Sequence, residues 1–259
     1  MIQLVKRRGQ AKRAVTEMVA LVQKTLLDKL PSREEKFTTL ETLREACEGK
    51  MYSEREYSQC TVMLIQMLEQ DGKIDEATKI IQEIQIETYG SLENKEKVDF
   101  ILYQMKLVLM RQDYVRLQIL SRKISKKAIS EKGLEQQKID YYNFMVKYYV
   151  HEKETLEAAK AYQTIYDTIN KTPVEEGTPG LDPSNQKRKE AFRNFCVYLL
   201  LSPYTNEKVD LLNIVEAMYP RELEQEELLG KFVKKFLTFE LTPLKEDTIK
   251  TEMGAFEPF

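Results

Sequence analysis

The feature that most constrains this chain is a break inside a helical pattern that keeps coming back. In "QDGKIDEATKIIQEI", Gln70 to Ile84, helical apolar spacing stops at Gly72 and resumes at once with Ile74, Ala77, Ile80, Ile81 and Ile84. A helix that halts at glycine and restarts a few residues later predicts a helical hairpin. Further on, Val98, Ile101, Leu102, Met105, Val108 and Leu109 make one stripe at i, i+3, i+4 spacing. "RQD" interrupts it, and Tyr114, Leu117, Leu120 and Ile124 make the next. The second helices align with an offset of 40, and a third copy, Leu156, Ala159, Tyr162 and Tyr166, follows with an offset of 42. Ile139, Tyr142, Met145, Val146 and Tyr149 supply that copy's first helix.

A hairpin of this kind cannot bury its apolar face alone and must stack on its neighbours. The expected fold is all-α: a right-handed α-solenoid of stacked helical hairpins, tetratricopeptide-like with a period of about 40 residues. The competing reading is an irregular helical bundle with chance similarity of spacing. Gly72, Ala77, Leu117 and Ala159 are expected at the repeat seam, and an elongated or concave molecule should result. No segment alternates polar and β-branched residues between turns as a strand set would.

On either side the pattern continues less regularly. Gln10 to Leu30 reads as a helix ended by Pro31, and helical spacing returns from Ser32 to Ala46 before Gly49. After the third copy, Asn170 to Lys189 carries three prolines and two glycines and reads as one irregular loop. Helices are expected again near Arg188–Leu201, Val209–Met218 and Glu224–Phe239; beyond them periodicity fades, as in a linker. The whole of 1–259 is expected to form a single helical-repeat arm.

Composition limits the functions this arm can serve. Lys and Arg total 40 against 42 Asp and Glu, so net charge gives no bulk attraction to nucleic acid or an anionic membrane. The longest apolar run, Cys196 to Leu201, is far short of the roughly 20 residues a membrane span needs. Three scattered cysteines, Cys47, Cys60 and Cys196, fit reduced buried thiols in the cytosol or nucleus better than disulfides or zinc. His151, the single histidine, falls at a helix end without a nucleophile or metal-ligating companions, and no glycine-rich phosphate loop occurs. No catalytic, metal or cofactor residue is expected.

Contact residues are easier to nominate. "SRKISKK" supplies Arg122, Lys123, Lys126 and Lys127, a cluster suited to an acidic protein partner. A second cluster, Lys6, Arg7, Arg8, Lys12 and Arg13, lies near the start. Neither sits in a known nucleic-acid motif, so a solvated face or an acidic protein partner is the preferred reading and a nucleic-acid-binding helical-repeat protein the lesser alternative. Tyr141, Tyr142, Tyr148 and Tyr149 crowd one helix. Tyr142 and Tyr149 fall on the apolar stripe, which leaves Tyr141 and Tyr148 as candidate partner contacts.

"ETYGSLENKEKVDFILYQMKLVL" followed by "QDYVRLQILSRKI", with "EGKMYSEREY", "YYNFMVKYY", "YQTIYDT" and "YLLLSPYTNEKVDLL", resembles the PCI-type non-ATPase lid subunits of the 26S proteasome over most of the chain. The resemblance implies a non-catalytic scaffold without cofactors, working in cytoplasm and nucleus. Its partners would be other lid subunits, with the ATPase ring or core particle as further candidates. It also implies a C-terminal winged-helix module, which is expected to be absent here, leaving a fragment monomeric on its own. The matching PCI subunit of the COP9 signalosome is the alternative; the "GK-hydrophobic-Tyr" turn at Gly49–Tyr52 is shared with it, while "ETYGS" and "DYVRLQILSRKI" favour the proteasome.

Overall fold

A computed structural model describes residues 11–171 and 186–238. Every regular element among them is helical, and none is a strand. The chain divides into two compact units, Met1–Ala128 and Ile129–Phe259. Most of the loop expected at 170–189, the basic residues Lys6, Arg7 and Arg8, and the aperiodic C-terminal residues lie outside the described residues.

In the first unit, α1 (Lys12–Leu21) runs into a π-helical turn, Val22–Leu26, and a 3-10 turn, Leu27–Lys29. The single helix expected over Gln10–Leu30 therefore changes hydrogen-bond pattern before Pro31. α2 (Arg33–Cys47), α3 (Glu54–Gln70), α4 (Ile74–Gln82), α5 (Asn94–Met110) and α6 (Tyr114–Ser121) follow, each packed on the next. The second unit contains α7 (Glu135–His151), α8 (Thr155–Lys171), α9 (Gln186–Leu201), α10 (Asn206–Met218), α11 (Pro220–Gln225) and α12 (Glu227–Thr238). The helix expected over Glu224–Phe239 is thus two, parted at Glu226, with Pro220 opening the first where its missing N–H costs no helical bond.

Three hairpins, α3/α4, α5/α6 and α7/α8, close with the same turn. Gly72, Gln112 and Lys153 take left-handed φ values of 72°, 58° and 62°. The following N–H reaches back to the preceding helix: Lys73 to the Leu68 carbonyl at 2.9 Å, Asp113 to Val108 at 3.1 Å, Glu154 to Tyr149 at 2.8 Å. This six-to-one bond satisfies a carbonyl that the ending helix would otherwise orphan. The carbonyls of Lys73, Asp113 and Glu154 then accept the first helical bonds from Ala77, Leu117 and Ala158. Turn geometry therefore equates Ala158, not Ala159, with Leu117, which corrects the third offset from 42 to 41.

Central helices are covered on more than one side. On α5, Val98, Phe100, Ile101, Leu102, Met105, Leu107 and Val108 are all buried, more than a single stripe could hold. Gln104 is buried among them and donates through Nε2 to the carbonyls of Ile81 (2.8 Å) and Ile84 (3.2 Å), closing the end of α4. In the second unit the core is aromatic. Tyr166, Phe192, Phe195 and Tyr219 meet with ring centroids 5.4–6.5 Å apart, mostly edge to face.

Candidate interaction site

The basic segment nominated from sequence begins where α6 ends. Arg122 keeps right-handed helical backbone angles as the C-cap, and Ile124 is buried, which pins the segment to its unit. Arg122, Lys126 and Lys127 stay exposed around that anchor. Lys123 does not join them: its Nζ lies 2.7 Å from Glu87 and is half-buried. It belongs to a series of ion pairs that tie one hairpin to the next, with Lys106–Glu69 (2.9 Å), Arg111–Asp75 (2.8 Å) and Arg55–Glu96 (2.5 Å). Pairs this exposed contribute about 0–1 kcal/mol each, so they fix alignment more than stability.

The tyrosine helix turns out differently. Tyr148 is buried at 8% exposure, while Tyr141, Tyr142 and Tyr149 are half-buried. Tyr141 meets Tyr142 edge-on at 5.2 Å and Tyr148 meets Tyr149 at 5.5 Å. Ile139 and Val146 face one side of α7, Met145 and Tyr148 another, so the single apolar stripe assumed from spacing underestimates how much of this helix is covered. Tyr141 keeps contact area; Tyr148 presents little. Burial pushes the Tyr149 phenol up to about 12.

Of the seam residues, Ala77, Leu117 and Ala159 are fully buried. Gly72 is not a packing residue. It is exposed, and a Cβ built on it would meet nothing within 4 Å. Its role is backbone conformation at φ +72°. The two basic residues of the N-terminal cluster that are described take local partners: Arg13 pairs with Glu17 at 2.8 Å, and Lys12 lies over the Tyr52 ring at 5.9 Å.

Lys208 escapes the sequence reading, although the signal is there: it shares the stripe of Leu211, Leu212 and Val215. It is 2% exposed, donates from Nζ to the carbonyls of Leu200 (2.7 Å) and Ser202 (2.6 Å), and lies 4.8 Å from the Phe236 ring centroid. It thereby closes α9 and ties α10 to α12. Burial lowers its pKa.

Cys47, Cys60 and Cys196 are free and buried, and burial raises the thiols of the first two to about 11 and about 12. A thiol held protonated is a poor nucleophile. His151 ends α7, exposed, with Nδ1 3.2 Å from Glu152. Among the described residues no group of three or more His, Cys, Asp or Glu could hold a metal ion, and no helix is long and apolar enough to cross a membrane. A cavity of about 240 Å³ lined by Glu131, Glu135, Lys138, Asp167 and Lys171 mixes charges of both signs.

The described residues define a helical-repeat protein built of hairpins that close with one turn geometry. The family described as "PSMD12/CSN4, N-terminal" matches residues 1–172. Similar proteins include the 26S proteasome non-ATPase regulatory subunit 12 of Dictyostelium discoideum, 33% identical with 99% of this chain and 57% of that protein covered. The 26S proteasome regulatory subunit RPN5 of Saccharomyces cerevisiae is 36% identical over 92% of this chain and 51% of its own length. The regulatory subunit rpn501 of Schizosaccharomyces pombe is 35% identical over 93% and 52%. The chain belongs to the PSMD12/CSN4 N-terminal family. It spans about half the length of these curated relatives.

Proposed function

We propose that this chain is the helical-repeat part of a non-catalytic scaffold subunit in the lid of the 26S proteasome regulatory particle. It serves ubiquitin-dependent degradation, in cytoplasm and nucleus, by holding other lid subunits and by reaching the ATPase ring or core particle. One observation carries this reading: likeness over nearly the whole chain to proteins named as 26S proteasome regulatory subunits. The structure lends support of a general kind. Helical hairpins closed by one recurring turn, as in α3/α4, α5/α6 and α7/α8, are the building blocks of repeat proteins that work through protein contact. The COP9 signalosome is the second reading, favoured by one observation, that the matched family description covers both PSMD12 and CSN4.

Affinity purification of the full-length protein from cells, followed by mass spectrometry, separates the two. Lid and ATPase subunits at stoichiometric levels are the expected result. Signalosome subunits in their place would move the assignment to the second reading, and recovery of neither set would overturn both.

A further inference from the structure

The second helices of the three hairpins share an inward register but not an outward one. Ala77, Leu117 and Ala158 hold the same place after the turn and are all fully buried. On the opposite side of α6, Val115 is 71% exposed and Ile119 55% exposed. At 3.6 residues per turn they lie within about 40° of each other on the helix, and Arg122 continues that face. One repeat earlier the matching residues are Asp75, Lys79 and Gln82, the first paired with Arg111 and the second exposed. Stacking therefore does not require apolar side chains at these places. Single exposed hydrophobics are ordinary. Two on successive turns of one outward face, where the neighbouring repeat carries charges, are left unexplained by the hairpin's own packing. The chain then exposes Arg122 and Lys127 on either side of buried Ile124, while Glu87 neutralises Lys123.

We propose that the outward face of α6 and the basic segment after it form a docking site for one acidic amphipathic helix of a partner subunit. Apolar residues of that helix, spaced i, i+3, i+4, would cover Val115 and Ile119, and carboxylates on its flank would meet Arg122 and Lys127. The charge sign selects the partner: an anionic helix gains from the basic segment, and a cationic one is repelled. The proposal deepens the lid-scaffold reading and rests on it.

The test uses full-length protein in its assembled complex. A photo-cross-linking residue, p-benzoylphenylalanine, replaces Val115 in one variant and Lys79 in a control. After isolation and irradiation the cross-linked peptides are sequenced. The expected result is a link from the Val115 position, and not from the Lys79 position, to a segment of another subunit with helical apolar spacing and an excess of Asp and Glu. Adding R122E and K127E should lower its yield about tenfold, the scale of losing opposed charges at an interface. That loss should shrink at high salt, as exposed charges are screened. No link above the Lys79 control, a link to a second copy of this chain, or a linked segment without acidic excess would overturn the proposal. The same preparation is scored for lid subunits. If they are present and the Val115 position stays unlinked, docking alone fails. If they are absent, the scaffold reading fails and docking falls with it.

Discussion

The helices over 54–121 and those over 186–238 are alike in secondary structure and unlike in what holds them. In α3–α6 the fully buried side chains, Gln104 aside, are aliphatic or small, among them Leu64, Ile65, Ala77, Ile81, Met105 and Leu117, and both hairpins close with one turn geometry. In α9–α12 no such turn recurs. Thr205 caps α10 by accepting from the Lys208 N–H at 3.2 Å, Pro220 opens α11, and Phe192, Phe195 and Tyr219 gather with Tyr166 of α8. A repeat seam needs small or aliphatic groups at the right period, and many residues satisfy that. A ring cluster needs particular rings at particular angles with their hydroxyls satisfied. The first arrangement is generic and readable; the second depends on particular residues.

The contrast is broken most sharply in the seam. Ala77→Asp places a charge at a fully buried position and should lower stability by about 3–5 kcal/mol, the cost of an uncompensated buried charge. Denaturant unfolding followed by far-ultraviolet circular dichroism measures it. Ile81→Val, which keeps the aliphatic character, should cost only about 1 kcal/mol. An unchanged unfolding midpoint for Ala77→Asp would take Ala77 out of the seam.

Next in size is the aromatic cluster, where hydroxyls are tied to carboxylates. The Tyr166 hydroxyl donates to Glu222 at 2.8 Å and that of Tyr219 to Asp167 at 2.9 Å. Tyr166→Phe and Tyr219→Phe should each cost about 1.5–3 kcal/mol, the range for hydrogen bonds to charged groups. Burial, with the neighbouring carboxylate, raises both phenols to about 12. The folded state thus holds these protons more tightly than the unfolded chain, whose tyrosines titrate near about 10. Stability from the two is fully present below that pH and lost as pH climbs through about 12. The double Phe variant should show a shallower alkaline loss than wild type across that window. Equal slopes would mean the two phenols do not contribute to it.

These regions differ in the same way in how far the sequence discloses them. Period, hairpins and the buried places of Ala77 and Leu117 follow from spacing alone, because stacking imposes that spacing on every copy. The one-residue error in the third copy arises because Ala158 and Ala159 are both buried, so apolarity cannot choose between them while the Lys153 turn can. Spacing misplaces Tyr148 because α7 is covered on two sides. The ring cluster joins residues up to 53 apart without a period, from Tyr166 to Tyr219, and nothing local announces it. Lys208 is legible as a charge inside a stripe. Val115 and Ile119 are harder: outward apolar residues make α6 look apolar all round, which hides a surface inside an apparent core.

The smallest effects lie at the turns, where the three hairpins differ among themselves. An L-residue in the left-handed region costs about 1–2 kcal/mol relative to glycine. Gly72 has open space around a would-be Cβ, so Gly72→Ala should lose only about 0.5 kcal/mol, the backbone strain less the unfolded-chain entropy that alanine removes. Gln112→Gly and Lys153→Gly run the other way. Each relieves that strain but adds about 0.5–1 kcal/mol of unfolded-chain entropy, leaving a net gain of about 0.5 kcal/mol. Both side chains are exposed, so no packing term obscures the sign. Unfolding midpoints of the three variants give the comparison directly. If Gly72→Ala costs several kcal/mol, the turn touches a neighbour and is part of the packing after all. If Gln112→Gly destabilises, its side chain supports the turn in a way that backbone conformation does not explain, and the three turns are alike in shape but not in energy.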